Sequence, residues 1–149
     1  MKKVRIGLAS AWARDRFTNA PLMVRNDNLD YLCFESMSEI TMSATQVKNA
    51  TSAQTIEYDP YLERRIRPII KECTEKNIKI ITNLGWVNPV AAAEKVIEIA
   101  KSEGVKKFKV AAVYNARDVL RDIAELNIEF STPDVKLSNF KEKIVSVEV

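Results

Sequence analysis

The feature that most constrains the fold is an alternation of short apolar runs with amphipathic segments. Its clearest example is residues 78–93, IKIITNLGWVNPVAAA, in which an apolar run ends at the polar residue Asn83. Gly85 then allows a turn, and Asn88 followed by proline is a typical helix start, because asparagine caps helices and proline is favoured in the first turn. The stretch therefore predicts a strand, a loop and the beginning of a helix.

The same alternation runs along most of the chain. Further apolar runs predict strands at residues 4–9, 29–34, 108–113 and 143–149. Helical spacing predicts helices at residues 21–25, from residue 36, over 59–76, over 89–103 and from Asn115. Strands that alternate with helices favour parallel pairing and right-handed crossovers. We therefore expect residues 1–149 to form one α/β domain, a Rossmann-like open three-layer sandwich. Its mostly parallel sheet would have about five strands, with helices on both faces.

Three of the predicted helices carry more specific signals. Ser36 followed three residues later by Glu39 matches a capping box, which predicts a helix that begins at Ser36. The apolar face of this helix is expected to comprise Met37, Ile40, Ala44 and Val47. Pro68 interrupts the helix predicted over 59–76 and should kink or break it. The helix that follows Asn115 would carry an apolar face of Val119, Leu120, Ile123 and Leu126.

Composition narrows the possible functions. The chain of 149 residues has no histidine, which excludes histidine-based triads and the commonest metal ligand. Cys33 and Cys73 have no metal-ligand spacing, so we expect reduced thiols, no metal site and a cytoplasmic protein. The net charge of +3 comes from interspersed charges, and no apolar run is long enough to span a membrane. Neither nucleic acid nor membrane is therefore expected as a partner, and the composition identifies no cofactor.

Ligands of open α/β sheets bind at the carboxyl ends of the strands, where this sequence places polar residues. Glu35 and Asp15 are the candidate catalytic acids or bases, and Glu39 could pair with Glu35. The candidate ligand-binding residues are Ser10, Ser36, Asn83, Gly85, Asn88 and Asn115. Three of these, at positions 36, 88 and 115, lie where a helix cap is needed, and capping alone is the favoured explanation for each of them. Asn83 has the stronger claim, because it ends a strand without beginning a helix.

A nucleotide-binding regulatory domain is disfavoured by the same strand ends. With three glycines in the chain, neither G-x-G-x-x-G nor a P-loop is possible. Arg14 and Arg16 could supply positive charge to an anion, although solvated arginines are more common. Trp12 and Trp86, each just past a strand end, would either wall an apolar pocket or cover the rim of the sheet.

Three stretches together resemble the acyclic terpene utilisation AtuA-like family. They are LDYLCFESMSEITMS at 29–43, DPYLERRIRPII at 59–70 and TNLGWVNPVAAAE at 82–94. The KVAAV run after them and the run at 144–149 extend the resemblance over most of the chain. Members of the family are typically about three times longer, and the last predicted strand of this chain is not followed by a closing helix. We therefore expect the chain to be the N-terminal part of a longer protein. The family tends to have a glycine-rich first loop and a second glycine after N-x-G, where this chain has Ala9–Ala13 and Trp86.

The resemblance implies catabolism of acyclic terpenes and other branched or carboxylic compounds, often through CoA thioesters. The first functional hypothesis is therefore an enzyme that acts on a small carboxylate or acyl-CoA-type metabolite. In this hypothesis Asn83 and the helix N-termini bind the anion, and Glu35 or Asp15 transfers a proton. The alternative is a non-catalytic α/β binding or subunit-interface module. Such a module would work as a homo-oligomer or with the remainder of a longer chain.

Overall fold

The structure, a computed structural model, describes residues 3–114. The elements in chain order are β1 (Ile6–Ser10), α1 (Asn19–Asn26), β2 (Tyr31–Phe34), α2 (Glu39–Thr51), α3 (Leu62–Ile66), α4 (Ile70–Glu75), β3 (Lys79–Thr82) and α5 (Pro89–Ser102). The α/β class is thereby confirmed. The helix predicted from Asn115 and the strand predicted over 143–149 lie outside the described residues.

The three strands form one parallel sheet in the order β1-β2-β3. Leu8 lies opposite Cys33, which lies opposite Ile81, so these three side chains share one face. The register of β1 shifts between Leu8 and Ser10, and this irregularity brings Ser10 opposite Phe34. The shift is what turns Ser10 towards the interior at the carboxyl end of its strand.

The strand predicted over residues 108–113 is not formed. A strand requires backbone hydrogen bonds to a neighbour, and this segment makes no ladder with β3. A groove with a volume of about 1100 Å³ is lined by both segments and separates them. Val113, near its end, is 89% exposed. The sheet therefore has three strands in the part of the chain that is described, rather than about five.

The core lies on one face of the sheet. Leu32 and Phe34 of β2 are buried there against apolar residues of α1, α3, α4 and α5. Gly7 of β1 lies so close to this layer that a Cβ would meet a methyl carbon of Leu29 at 2.9 Å. The opposite face carries Ile6 and Leu8, which are 65% and 52% exposed. Helices on both faces were expected, and within residues 3–114 only one face is covered.

The helix predicted to begin at Ser36 begins instead at Glu39, and its N-cap is Ser38, whose hydroxyl accepts the Thr41 amide. The predicted capping box is wrong because Ser36 is drawn into the interior, where the side chain of Asn83 binds its amide. Pro68 breaks the next predicted helix into α3 and α4, as expected.

The apolar face predicted for α2 is also wrong. Ile40 and Val47 are 81% and 57% exposed, whereas Thr45 is buried. Periodicity identifies which residues share a face, but it does not identify which face the protein buries. The half-buried side chain of Asn49 instead ties this helix to the segment after it, donating to and accepting from the backbone of Ile56.

Candidate functional site

Polar side chains from all three strand ends meet at the carboxyl edge of the sheet. The Ser10 hydroxyl donates to the Glu35 carbonyl at 2.9 Å, and the Glu35 amide donates to the Ser10 carbonyl at 3.0 Å. Asn83, which follows β3, accepts from the Ser36 amide at 2.9 Å through Oδ1 and donates to Glu35 Oε1 at 3.1 Å through Nδ2. We call Ser10, Glu35, Ser36 and Asn83 the strand-end cluster.

The carboxylate of Glu35 has one engaged and one available oxygen. Oε1 accepts the Met37 amide at 2.8 Å as well as the Asn83 side chain. Within residues 3–114, Oε2 takes part in no hydrogen bond or ion pair. The side chain is half-buried. Its position is therefore fixed by two donors, while its second oxygen can accept a proton or a donor from a ligand.

Trp86 joins the cluster from the loop after β3. Its indole nitrogen donates to the Ser36 hydroxyl at 3.2 Å, and its ring lines the groove beside β3. The backbone of Trp86 has a φ of +43°, in the left-handed region that non-glycine residues rarely adopt. Of the two alternatives predicted for Trp86, walling an apolar pocket or covering the rim of the sheet, the structure shows the first. The hydrogen bond to Ser36 holds the indole in this position.

The groove adjoins the cluster and is mainly apolar. Besides Trp86 and Asn83, its lining includes Met37, Ile81 and Phe108. Its volume of about 1100 Å³ slightly exceeds that of typical small-molecule sites, which are about 300–1,000 Å³ and largely apolar with a few polar groups. The arrangement suits a ligand with an apolar body and one polar end.

Beneath the cluster lies a buried ion pair. The side chains of Asp59 and Arg65 are 0% and 1% exposed, and Asp59 Oδ2 is 3.4 Å from Arg65 Nε. Asp59 Oδ1 accepts the Tyr61 amide at 2.8 Å, and Arg65 Nη2 donates to the Ala13 carbonyl at 2.6 Å. The pair therefore ties the loop after β1 to α3.

The pairing is incomplete, since Asp59 Oδ2, Arg65 Nε and Arg65 Nη1 have no hydrogen-bond partner in the part of the chain that is described. The two charges attract each other, but the geometry between Nε and Oδ2 is not that of a hydrogen bond. Burial raises the pKa of the Asp59 carboxyl above its ordinary value; the Tyr61 amide, the charge of Arg65 and the Ser36 hydroxyl oppose this.

The structure brings only some of the predicted site residues together. Ser10, Glu35, Ser36 and Asn83 are in direct contact, as their places at the strand ends indicate. Asp15 contacts its own loop instead: its Oδ2 accepts the Ala11 amide at 2.7 Å. No hydrogen bond joins Asp15 to Glu35 within residues 3–114. Its role as an acid or base remains a prediction without geometric support.

Two further predicted residues have structural explanations. Asn88 caps α5, accepting the Ala91 amide at 3.0 Å, and its Nδ2 donates to Glu57 Oε1 at 2.8 Å. Gly85 is required by packing, because a Cβ there would lie 2.8 Å from the Cα of Pro89. Their use as ligand-binding groups remains a prediction. Asn115 lies outside the described residues.

Sequence reasoning treated Asp59 only as a helix cap and assigned Arg65 no role. The available signal was the arginine-rich run LERRIR at 62–67. At helical spacing Arg65 lies on the same face as Leu62 and Ile66, so it faces inward if they do. The exposed side chain of Arg64 and the buried side chain of Arg65 show this division. Arg14 and Arg16 are exposed, and Trp12 is 53% exposed.

No group of three or more carboxylate or thiol ligands suitable for a metal occurs in the part of the chain that is described. In the same region, no helix has the length and apolar character required to cross a membrane. Glu63 of α3 forms ion pairs with Arg67, which follows α3, and with Lys95 of α5, and both cations hold the pKa of Glu63 below its ordinary value. These pairs are remote from the strand-end cluster in sequence and bond to none of its members.

The geometry defines an α/β protein whose parallel strands end in a carboxylate, amide and hydroxyl cluster beside an apolar groove. The chain belongs to the acyclic terpene utilisation AtuA family, because the model of that family matches residues 4–149. The predicted resemblance is thereby confirmed. Neither the curated proteins nor the solved structures contain a match to this chain.

Proposed function

We propose that this AtuA-like protein is a catabolic enzyme that acts on an acyclic, branched carboxylate or its acyl-CoA form. The observation that carries the proposal is the adjacency of the strand-end cluster to the apolar groove. Asn83 and Trp86 contribute to both. The apolar part of such a substrate would occupy the groove, with its polar end at the cluster. Membership of a family named for acyclic terpene utilisation supports this substrate class.

In this proposal Glu35 is the residue that exchanges a proton with the substrate. Two donors orient its Oε1, and Oε2 remains available in the described part of the chain. Asn83 acts as a positioning residue, because it holds both Glu35 and the Ser36 amide. The anion-binding role first expected of Asn83 would require the substrate to displace one of these bonds. We expect the domain to be completed as a Rossmann-like sheet of about five strands.

The test measures binding of citronellate and of CoA to the full chain by isothermal titration calorimetry and thermal shift. Glu35→Gln keeps the acceptor for the Met37 amide and removes the charge. The matched control is Glu39→Gln, since Glu39 is exposed in the first turn of α2. We expect binding of the probe in the wild type and in Glu39→Gln, with at least a tenfold change of affinity in Glu35→Gln. Equal affinity in all three proteins, or no binding of either probe, would contradict the proposal.

A second candidate is a non-catalytic binding or subunit-interface module. The observation that favours it is the exposed apolar stripe on α2, formed by Ile40 and Val47. Sedimentation of the full chain, with Ile40→Ser and Lys48→Ser compared, distinguishes this candidate. Lys48 is an exposed, charged position on the same helix. An oligomer that dissociates only in Ile40→Ser would support an interface, whereas a monomer throughout would remove this candidate.

A further inference from the structure

The groove has the strand-end cluster at one end and a basic residue at the other. One of its walls follows β3 and the residues on either side of it, from Asn77 to Trp86. Asn83, which donates to Glu35, lies at the carboxyl end of this wall. Lys79, the first residue of β3, lies towards its other end. Because a parallel strand rises about 3.3 Å per residue, the backbones of Lys79 and Asn83 are roughly 13 Å apart.

The other wall of the groove adds two further lysines. It is formed by residues 107–114, which follow α5. In parallel α/β units the helix after a strand runs back to the amino end of the sheet, and the 14 residues of α5 span about 21 Å. Lys107 and Lys109, which line the groove where this segment begins, therefore lie towards the same end as Lys79. We call these three residues the lysine end of the groove.

The charges of the lysine end are not compensated by acidic side chains. Among residues 3–114 the lysines in ion pairs are Lys76 and Lys95, and no member of the lysine end forms one. Lys79 Nζ instead lies 5.5 Å from the ring centroid of Tyr31. All three lysines are exposed. A cleft lined by charges of one sign attracts an oppositely charged ligand, so the lysine end favours an anion.

The lining between the two ends is mainly apolar. Ile80 and Ile81 contribute to it from β3, and Val110 and Ala112 from the opposite wall. A carboxylate or phosphate is therefore favoured at the lysine end rather than in the middle of the groove, where burying it without a partner would be costly.

We propose that the groove takes an elongated ligand whose carbonyl lies at the strand-end cluster and whose anionic group lies at the lysine end. This inference rests on the proposed function and narrows its substrate class, because a short monocarboxylate would leave the lysine end unused. The anionic group is either a second carboxylate or the phosphates of CoA. In the second case the pantetheine arm of CoA lies along the apolar middle of the groove.

The test compares three ligands of equal acyl length by isothermal titration calorimetry on the full chain: decanoate, decanedioate and decanoyl-CoA. We expect decanedioate or decanoyl-CoA to bind at least tenfold more tightly than decanoate. Lys107→Gln/Lys109→Gln should abolish this difference. The matched control, Lys101→Gln/Lys106→Gln, removes the same charge from two exposed lysines that do not line the groove, and it should preserve the difference.

Tighter binding that depends on Lys107 and Lys109 alone supports the proposal, and the ligand that gains identifies the source of the anion. Equal affinity of the wild type for all three ligands would overturn it. An equal loss in both double variants would also overturn it, because net charge alone would then explain the preference. Decanoate binding that changes in Glu35→Gln, with no effect of the lysines on any ligand, would overturn this inference and leave the proposed function standing. No binding of any ligand would overturn both.

Discussion

Replacing Arg65 by methionine should destabilise the fold far more than an ordinary surface substitution. The side chain of Asp59 is fully buried, and Arg65 is the only cation in ionic contact with it within residues 3–114. Removing one partner of a buried ion pair typically costs about 3–5 kcal/mol, because the remaining charge is left without compensation. The substitution also removes the donor to the Ala13 carbonyl. We therefore expect a loss of about 3–5 kcal/mol in the free energy of unfolding.

The assay is urea unfolding followed by the fluorescence of Trp12 and Trp86. With a denaturant slope of about 2 kcal/mol per molar, the expected loss moves the unfolding midpoint by about 1.5–2.5 M. Arg64→Met is the matched control. Its guanidinium is exposed and lies 4.0 Å from the ring centroid of Phe17, a contact that contributes about 0.5–1 kcal/mol at exposed sites. The control should therefore move the midpoint by less than about 0.5 M.

The double variant Asp59→Asn/Arg65→Met tests whether the loss comes from the unpaired charge. Asparagine keeps the acceptor for the Tyr61 amide but carries no charge. The double variant should be more stable than the sum of the two single losses predicts, by about 1–3 kcal/mol. Additive losses, or a loss below about 1 kcal/mol for Arg65→Met, would refute the reasoning.

The pH dependence provides a second check with a definite sign. Burial raises the pKa of Asp59 in the folded state above its ordinary value of 3.8. The folded state therefore binds the proton more tightly than the unfolded state. The resulting stabilisation is fully present below 3.8 and is lost as the pH rises through the raised pKa. Without the charge of Arg65 the pKa should rise further, so Arg65→Met should be less destabilised at about pH 5 than at about pH 7.5.

Three further predictions concern single contacts. Gly85→Ala should cost about 1–3 kcal/mol in urea unfolding, because the added Cβ would lie 2.8 Å from the Cα of Pro89; an unchanged midpoint would contradict this. Asn88→Ala should cost about 1 kcal/mol through loss of the α5 cap, whereas Asn88→Ser should recover most of it. Burial raises the pKa of Cys73 to about 11. Near neutral pH, iodoacetamide should therefore alkylate Cys73 at least tenfold more slowly in the native chain than in the denatured chain. Intact mass measures both rates, and equal rates would refute the burial of Cys73.

The strands were predictable because each combines a short apolar run with a polar end. The apolar runs placed β1, β2 and β3 to within about two residues, and the parallel pairing followed from the helices between them. The break at Pro68 was equally direct, since proline removes a helical hydrogen bond. The strand at 108–113 failed because a strand depends on a partner edge as well as on its own composition. Local sequence does not contain that information.

The strand-end cluster was predictable in membership but not in detail. That Ser10, Glu35 and Asn83 would meet follows from topology alone, since parallel strands end at one edge. The bond between Asn83 and Ser36 depends on side-chain reach between strand ends, and with it the N-cap of α2 moves by two residues, from Ser36 to Ser38. Such contacts between residues distant in sequence have no local signal. For the same reason, the pairing of Asp59 with Arg65 was missed.

The bond from Arg65 to the loop after β1 bears on how that loop can change. The guanidinium contacts the backbone carbonyl of Ala13, not a side chain. A bond to a backbone carbonyl does not depend on which side chain the loop residue carries. Arg65 therefore holds this loop in place, although the loop has no glycine and few side-chain contacts of its own. Exposed positions such as Trp12 and Arg14 should therefore accept substitutions without loss of loop position. New side chains can therefore be introduced in this loop, beside the strand ends, without removing its bond to Arg65.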